Sequence, residues 1–468
     1  MNARIACAAV FAFALVCARS GGAATYYVSP AGDDSHPGSA ALPWRTFQYA
    51  ADRAAAGDTV LVRSGTYTGF RSVSGGEEGA PVVFSAETGA SVVVNSPGPS
   101  SWHDSAIEIE GCDWWVVQGL EVTGAATAGI DVREAAHVTV RDCFCHHNGR
   151  WGIFTAYADY FTAEGNECSY QATEHGIYHS NSADFPVIRF NRCHHNQACG
   201  IQLNADPAFP GDGIISQALV EKNLVWDNGA AGGAGVNLAS VRDSLIANNL
   251  VYGNRAGGIA GWDDGAGTEW GCKNNRIYHN TVHMPPEGRW ALNLINGSSG
   301  NRVKNNLLIH DGSRGGLEID STSLPGLDSD YNVITRVSVD DIWMELGDWQ
   351  AGFSQDTHSA TDTAAATFRN PGSDYHLLAA CFARDRAPAP GGIDDDLEGN
   401  PRPRGPAFDL GCYEYYPAPD LNGDGLVDSV DLGILCACWG IGGGAADLTG
   451  DGRVDEDDLA FLLARWNG

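Results

Sequence analysis

Asparagine returns in two columns down the middle of this chain, at intervals of about 25 residues. The clean copies run Asn191 to Asn196, Asn223 to Asn228, Asn249 to Asn254 and Asn275 to Asn280, each an Asn, four residues, then Asn. Looser copies flank them at Cys143 to Asn148, Asn166 to Gln171 and Asn306 to Asp311. Two places after each first member stands a small or apolar residue: Cys145, Cys168, Cys193, Val225, Val251, Ile277 and Leu308. A second marker follows each pair, in order Gly129-Ile130, Gly152-Ile153, Gly176-Ile177, Gly200-Ile201, Gly235-Val236, Gly258-Ile259, Ala291-Leu292 and Gly316-Leu317. A fixed period of this length marks a repeat architecture. No amphipathic helical pattern separates the markers, so each repeat is expected to hold two short strands separated by turns. Such repeats stack into an all-β solenoid, a parallel β-helix.

The chemistry of the columns supports that architecture. Coils stacked at a rise of roughly 4.8 Å place identical side chains on top of one another. Each buried Asn amide then donates to the next, and the ladder satisfies polar groups that a turn would otherwise bury unpaired. Asn and Gly that merely punctuated surface loops would not keep register across seven coils.

Residues 1–24 have the pattern of a secretory signal peptide: Arg4, an apolar run from Ile5 to Ala18, and the small residues Gly22-Ala23-Ala24. The run is too short for a membrane span and nothing later replaces it, so the expected product is secreted and soluble from about Thr25. The net charge is −30, and −32 once Arg4 and Arg19 are removed. Residues 420–468 hold ten acids and two arginines, −8, which leaves about −24 on the solenoid. That sign excludes a nucleic-acid partner. It also repels acidic polysaccharides at long range unless a metal ion or a local arginine cluster intervenes. The only lysines, Lys222, Lys273 and Lys304, stand beside or shortly before ladder asparagines. Eleven cysteines follow the signal, with Cys145, Cys168 and Cys193 in one inward column, where stacked free thiols are expected. A Cys381 to Cys412 bridge is the one pairing considered, and paired CxxC zinc spacing is absent.

Thr46 is placed to cap a helix from Phe47 to Ala55, ended by Gly57, that would cover the open end of the solenoid. Coils are expected to run to about Leu317, with irregular final coils and a closing cap up to Tyr416. Pro417-Ala418-Pro419 reads as a short linker. The opening YYVSPAGDDSHPGSAALPWRTFQYAADRAAAGDTVLVRSGTY, the central EHGIYHSN and the ending DLGCYEYY resemble a group of secreted bacterial right-handed parallel β-helix proteins with the pectate-lyase-like fold. The resemblance spans nearly all of residues 25–416. It implies a right-handed solenoid and one of several carbohydrate chemistries, since lyases, hydrolases and epimerases share the fold.

Residues 420–468 hold a duplication offset by 27. Asp420, Asn422, Asp424, Gly425, Asp428 and Asp431 take positions 1, 3, 5, 6, 9 and 12 of a calcium loop, with Leu426 offering its carbonyl. The second copy is Asp447, Thr449, Asp451, Gly452, Asp455 and Asp458, with Arg453 supplying the carbonyl. Each loop leads into a matched helix, DLGILCACWG and DLAFLLARWNG, ending at Trp439 and Trp466. The pair resembles a type I dockerin, which implies two calcium ions and docking into a cohesin on a scaffold or surface protein. Positions 10 and 11 differ between the copies, Ser429-Val430 against Glu456-Asp457, and Thr449 departs from the stronger ligand at position 3. A calcium-stabilised tail without a cohesin partner is the other reading.

On a β-helix, outward side chains of consecutive coils line a groove. The residue after each Gly-Ile marker gives Asp131, Phe154, Tyr178, Gln202, Asn237, Ala260, Asn293 and Glu318, and the turn beyond adds further amides, acids and aromatics. The densest segment, Glu174 to Asn181, marks Glu174, His175, Tyr178 and Asp206 as catalytic candidates. Tyr or His suits proton abstraction beside a uronate carboxyl, and two carboxylates about 5 to 10 Å apart suit hydrolysis. Arg133, Asn181, Gln202, Asn204, Asn237, Trp262, Asp263 and Asp264 are the substrate-binding candidates, and a further calcium ion in this groove is allowed for. His179 falls on an inward position, and His146, His147, His194 and His195 read as turn and stacking residues. Several β-helix lyases use a catalytic Lys or Arg, yet all three lysines here stand in structural places, while Arg133 and Arg150 lie near the strip. The reading is an extracellular protein that cleaves glycosidic bonds of a polysaccharide, by elimination or hydrolysis. The alternative is a non-catalytic binding or surface-structural solenoid.

Overall fold

The computed structural model describes residues 22–263, 265, 267–389, 391–416, 419–422 and 426–466. The signal segment up to residue 21, the groove candidate Asp264, the loop ligand Asp424 and linker residues 417–418 lie outside the described residues. Three sheets run the length of the shaft, with 12, 12 and 11 strands among the described residues, each strand pairing in parallel with its counterpart one coil away except the last strand of one sheet, Ile342–Met344, which folds back antiparallel on Val337–Val339. We call them A (Thr25–Val28 to Asp328–Asp330), B (Gly65–Tyr67 to Val333–Ile334) and C (Phe70–Arg71 to Val337–Val339, closed by Ile342–Met344). The coil therefore holds three strands where the spacing predicted two. The strand before the first Asn, such as Val187–Arg189, is only three residues long and too short to show alternation.

The ladder forms as expected. Asn166 donates from Nδ2 to Oδ1 of Asn191 at 3.0 Å, and the chain continues through Asn223, Asn249, Asn280, Asn306 and Asn332 at 2.9–3.1 Å. Each amide also ties backbone: Asn249 Oδ1 accepts the Asn223 N–H at 3.0 Å, and Asn249 Nδ2 donates to the Val220 carbonyl at 2.9 Å. The second column runs Asn148, Gln171, Asn196, Asn228, Asn254. The residue before each first-column Asn lies in the left-handed region, among them Phe190 (φ 57°), Lys222 (54°), His279 (53°) and Asn305 (62°). The ladder holds these side chains in a conformation that costs a non-glycine residue roughly 1 kcal/mol or more.

One column assignment slips. Asn280, not Asn275, continues the first column after Asn249, and Asn275 belongs to a third column with Ser244 and Asn301. The inward column consequently reads Cys145, Cys168, Cys193, Val225, Val251, Val282, Leu308, while Ile277 stacks on Ile246 in sheet A. Two different turns flank each short strand at the same five-residue spacing, so the pattern matches either. The Gly markers belong to the ladder as well. A Cβ on Gly176 would meet the Gly200 carbonyl at 2.7 Å and the Asn196 amide nitrogen at 2.8 Å.

The helix at the N-terminal end is shorter than predicted, Phe47–Ala51, with Thr46 Oγ1 accepting the Tyr49 N–H at 3.3 Å. It covers the open end of the core, where Phe47 stacks on Tyr67 at 4.6 Å. Regular coils run past Leu317 to Val339, and the helix Leu346–Phe353 plugs the far end with buried Trp349. All eleven described cysteines are free, so the Cys381 to Cys412 bridge is absent and the buried thiol column stands. The histidines stack as expected: His147, Tyr170 and His195 lie face to face at 5.2 and 4.8 Å. His179 is buried, sharing a hydrogen bond with the Thr155 hydroxyl at 2.7 Å.

Replacing Asn249 by Ala strands the buried Asn223 N–H and takes one partner each from Asn223 Nδ2 and the Val220 carbonyl, while Asn280 Oδ1 keeps the N–H of residue 249. At roughly 1–3 kcal/mol for an unsatisfied buried group and about 1 kcal/mol for each further lost hydrogen bond, N249A is expected to lose about 3 kcal/mol or more in denaturant unfolding. A loss below about 0.5 kcal/mol, the size of a neutral surface change, would refute the ladder's role.

Candidate active groove and calcium loops

Sheet C carries the outward row in unbroken register: Glu108, Asp131, Phe154, Tyr178, Gln202, Asn237, Ala260, Asn293, Glu318, Ser338. Its first third is closed. Glu108 accepts from Ser101 Oγ at 2.5 Å and from the backbone of Trp102 and His103 at 2.8 Å, so the 101–105 loop lies over it. Asp131 is held by Arg133 at 2.8 Å, whose guanidinium sits over Phe154 at 4.6 Å.

The segment singled out for catalysis braces the middle of the face. Glu174 takes Arg150 Nε at 3.0 Å and Trp151 Nε1 at 2.8 Å. His175 Nδ1 accepts the Cys199 N–H at 3.0 Å, which places the ring proton on Nε2, and burial pushes its pKa down to about 4. Trp151 stacks on Phe154 at 4.2 Å, with Tyr178 edge-on at 5.3 Å. Asp206 turns into its own loop and accepts the Ala208 N–H at 2.8 Å. Asn181 sits at φ 61° in the turn beyond the strand, where its N–H donates to the Asn204 carbonyl at 3.0 Å. Gln202 is buried beside Cys199, and Asn204 reaches the Tyr178 hydroxyl at 3.5 Å. These residues do come together, but mostly as partners of one another.

The open space lies further along. Gly233, Asn237, Ala260, Trp262, Arg289 and Trp290 line a concavity of about 350 Å³. Sharing Arg289, Trp290, Asn293 and Ile295 with it, a second concavity of about 560 Å³ continues over Glu318, Asp320, Asp340 and Asp341, with Arg314 on its rim. Trp290 packs against Trp343 at 4.5 Å and walls the groove at that end. Three of the substrate-binding candidates belong to this stretch. Trp262 donates from Nε1 to Asn237 Oδ1 at 3.0 Å, and buried Asp263 accepts from Asn296 Nδ2 at 2.7 Å and from the Gly267 N–H at 2.8 Å.

The two walls differ in charge. Arg289 and Arg314 precede their strands on one side, and Asp320, Asp340 and Asp341 follow theirs on the other. Arg150, at the same wall position five coils before Arg289, is neutralised by Glu174, whereas Arg289 and Arg314 form no ion pair among the described residues. Arg289, Trp290 and Arg314 were not singled out from the sequence, although a signal existed. Gly149-Arg150-Trp151 and Gly288-Arg289-Trp290 are the same motif at the same place in the coil.

A family model described as the Pel9A-like right-handed β-helix region matches residues 26–285. The chain belongs to this family. A second, the type I dockerin domain, matches residues 418–465. A protein of Emericella nidulans named pectate lyase PEL9 is 31% identical over 238 residues, covering 44% of this chain and 58% of its own length. Pectate lyase L of Dickeya chrysanthemi is 31% identical over 140 residues, 27% of this chain and 32% of that protein. The chain thus spans less than two thirds of either relative. The solved structure of pectate lyase Pel9A superposes with a TM-score of 0.61 at 18% identity, over 84% of this chain and 97% of that one, a likeness of fold.

In this Pel9A-like chain the C-terminal loops have the chemistry of cation sites. Asp431 and Asp458, at position 12, are fully buried. Asp431 Oδ1 accepts the N–H groups of Leu421 and Asn422, and Asp458 Oδ1 accepts from the Thr449 backbone and hydroxyl. Both helices open with a reciprocal capping box, Asp428 with Asp431 and Asp455 with Asp458. Gly452 takes φ 93°, the sharp turn that position 6 requires. Buried carboxylates lacking a cationic partner are costly, so the donor set fits a bound divalent ion. Among the described residues, which leave out Asp264 and Asp424, no three acidic, His or Cys side chains converge as a ready cation site, in the groove or in the loops.

The loops rest on the β-helix cap. Arg404 stacks over Tyr416 and donates to the Leu448 carbonyl, Tyr416 stacks on Phe461 at 5.4 Å, and Arg465 approaches Glu398 at 3.5 Å. Glu398 also faces His376 at 3.3 Å. Burial opposes the imidazolium, but the hydrogen bonds it donates to Asp374 and Glu398 carry its pKa from 6.5 to about 9. Raised in the folded state, it contributes stability that is complete below pH 6.5 and lost as pH rises through about 9. The loss is bounded by about 3 kcal/mol. H376N is expected to flatten the decline of melting temperature across this window, and an unchanged decline would refute the assignment.

Proposed function

We propose that this chain is a secreted polysaccharide lyase that cleaves a uronate-containing polymer along the sheet C groove and is anchored through its dockerin. The observation that carries this is the unpaired Arg289 and Arg314 wall in a family member whose net charge is −30. An anionic polymer approaching so acidic a protein needs a local cationic foothold. Two guanidinium groups one coil apart, roughly 4.8 Å of rise, offer forked contacts to carboxylates on successive sugars. The relatives named pectate lyases favour polygalacturonate as the first substrate to test.

In elimination, the proton on the carbon next to the uronate carboxyl leaves, and charge builds on that carboxyl. Arg289 and Arg314 would hold the carboxylate and stabilise the developing negative charge in a partly enclosed site. Trp262 and Trp290 offer apolar faces to the sugar rings, and Asn237 and Asn293 offer amides to their hydroxyls. The braced residues Glu174, His175, Tyr178 and Arg133 shape the neighbouring part of the face, where further sugar units would lie with Asn181, Gln202, Asn204 and Asp206. The signal-peptide pattern of residues 1–24 and the dockerin together favour an extracellular or cell-surface location.

For the dockerin we assign Asp420, Asn422, Asp424, the Leu426 carbonyl, Asp428 and Asp431 to one calcium ion. Asp447, Thr449, Asp451, the Arg453 carbonyl, Asp455 and Asp458 are assigned to a second. Bound calcium neutralises these acids and fixes the helices that would meet a cohesin. D458A is expected to weaken calcium binding at least tenfold, read by calorimetry with the Trp439 and Trp466 fluorescence as a second signal, and unchanged affinity would remove the assignment.

The lyase reading is tested by ultraviolet detection of unsaturated uronate on a panel of polygalacturonate, alginate and neutral glycans. Turnover of a polyuronate is expected, with R289A and R314A each raising KM about tenfold, the loss of one charge-assisted contact of roughly 1.5 kcal/mol. Reducing ends without unsaturated product would replace elimination by hydrolysis, and no turnover on any glycan would favour a binding role.

A further inference from the structure

Three glutamates are buried among the described residues: Glu108, Glu318 and Glu414. Two are fully engaged. Glu108 is wrapped by the 101–105 loop, and Glu414 receives Arg402 Nη1 at 2.8 Å together with the N–H groups of Asp409 and Arg404 at 3.1 Å. Glu318 differs. It is 6% exposed, no ion pair reaches it among the described residues, and its Oε2 completes no hydrogen bond, with the Ser338 hydroxyl and the Asp341 N–H the groups nearest its carboxyl. A buried carboxylate oxygen left unsatisfied is destabilising, and a native fold that keeps such a group where apolar residues would serve calls for a reason.

Its position supplies one. Glu318 is the floor residue of the larger concavity, in register between Asn293 and Ser338. Arg289 and Arg314 flank it on one wall and Asp320, Asp340 and Asp341 on the other. A uronate whose carboxylate rests on the arginines would present the carbon beside that carboxylate to the groove floor. We infer that Glu318 is the catalytic base of the elimination, taking the proton from the carbon alpha to the substrate carboxylate. This rests on the lyase reading above.

The step balances with groups at hand. The C5–H bond breaks and the proton passes to the Glu318 carboxylate. The electron pair left on C5 forms the C4–C5 double bond as the C4–O4 bond breaks, and the leaving O4 takes a proton from groove water. Glu318 then returns its proton to solvent. Burial, reinforced by Asp341 and Asp340, raises its pKa, which brings a carboxylate closer to the basicity that proton abstraction rewards. Hydrogen bonding from the Ser338 hydroxyl and the Asp341 N–H opposes that rise.

The test is steady-state kinetics on polygalacturonate, or on whichever polyuronate the wild type turns over, for E318Q and E318D, with melting temperatures alongside. E318Q is expected to lose at least about 100-fold in kcat with KM and melting temperature within twofold and 2 degrees or so of wild type. E318D should recover part of the loss and keep an acid limb in its pH–rate profile, which the residual E318Q activity should lack. Activity of E318Q within threefold of an active wild type overturns the base and leaves the lyase reading standing. A rise in KM alone makes Glu318 a binding residue and also overturns it. A wild type that yields no unsaturated product overturns the lyase reading and this assignment with it.

Discussion

The hydrogen bond from one side-chain amide to the next, repeated once per coil, is the interaction on which the rest of this molecule depends. Sheet pairing alone would let coils of such short strands slide against their neighbours, because three residues carry little register information. The Asn amide removes that freedom. Its oxygen takes both the N–H and the amide of the preceding coil, and its nitrogen ties to the next amide and to a strand carbonyl behind it. Glycine in the marker column follows from the same constraint, since the amides of the second column occupy the space a Cβ would need. Groove geometry is thereby inherited from the core: Arg289 and Arg314 share a wall because Asn280 and Asn306 are stacked beneath their coils.

Much of this was legible in the sequence, and the exceptions have physical causes. Side chains that must lie on top of one another impose identity at a period, which is visible without a structure. The outward row of sheet C was legible for that reason, down to Glu318. Column identity at Asn275 was not, because two successive turns offer the same spacing and only the hydrogen bond to Asn280 separates them. The third strand was hidden by its length.

The open part of the groove was hidden for a different reason. Density of chemically capable residues draws attention to Glu174 and His175, but density also lets residues satisfy one another. Glu174 is engaged by Arg150 and Trp151, and His175 by the Cys199 amide. Function needs groups left unpaired in an open space, and pairing is a property of three dimensions. Arg150 and Arg289 occupy the same motif and the same coil position, yet only one of them keeps its charge available.

The far end of the ladder has a consequence of its own. Every amide points the same way, so the column is a row of parallel dipoles, and its last nitrogen, on Asn332, donates at 2.9 Å to Asp356. Asp356 also takes the Trp349 indole at 2.9 Å from the plugging helix. A formal anion therefore faces the positive end of the row, the arrangement that an acidic residue makes at the start of an α-helix. The shaft thus carries an axial polarity through its interior, and its terminal helix is seated by the same charge that ends it.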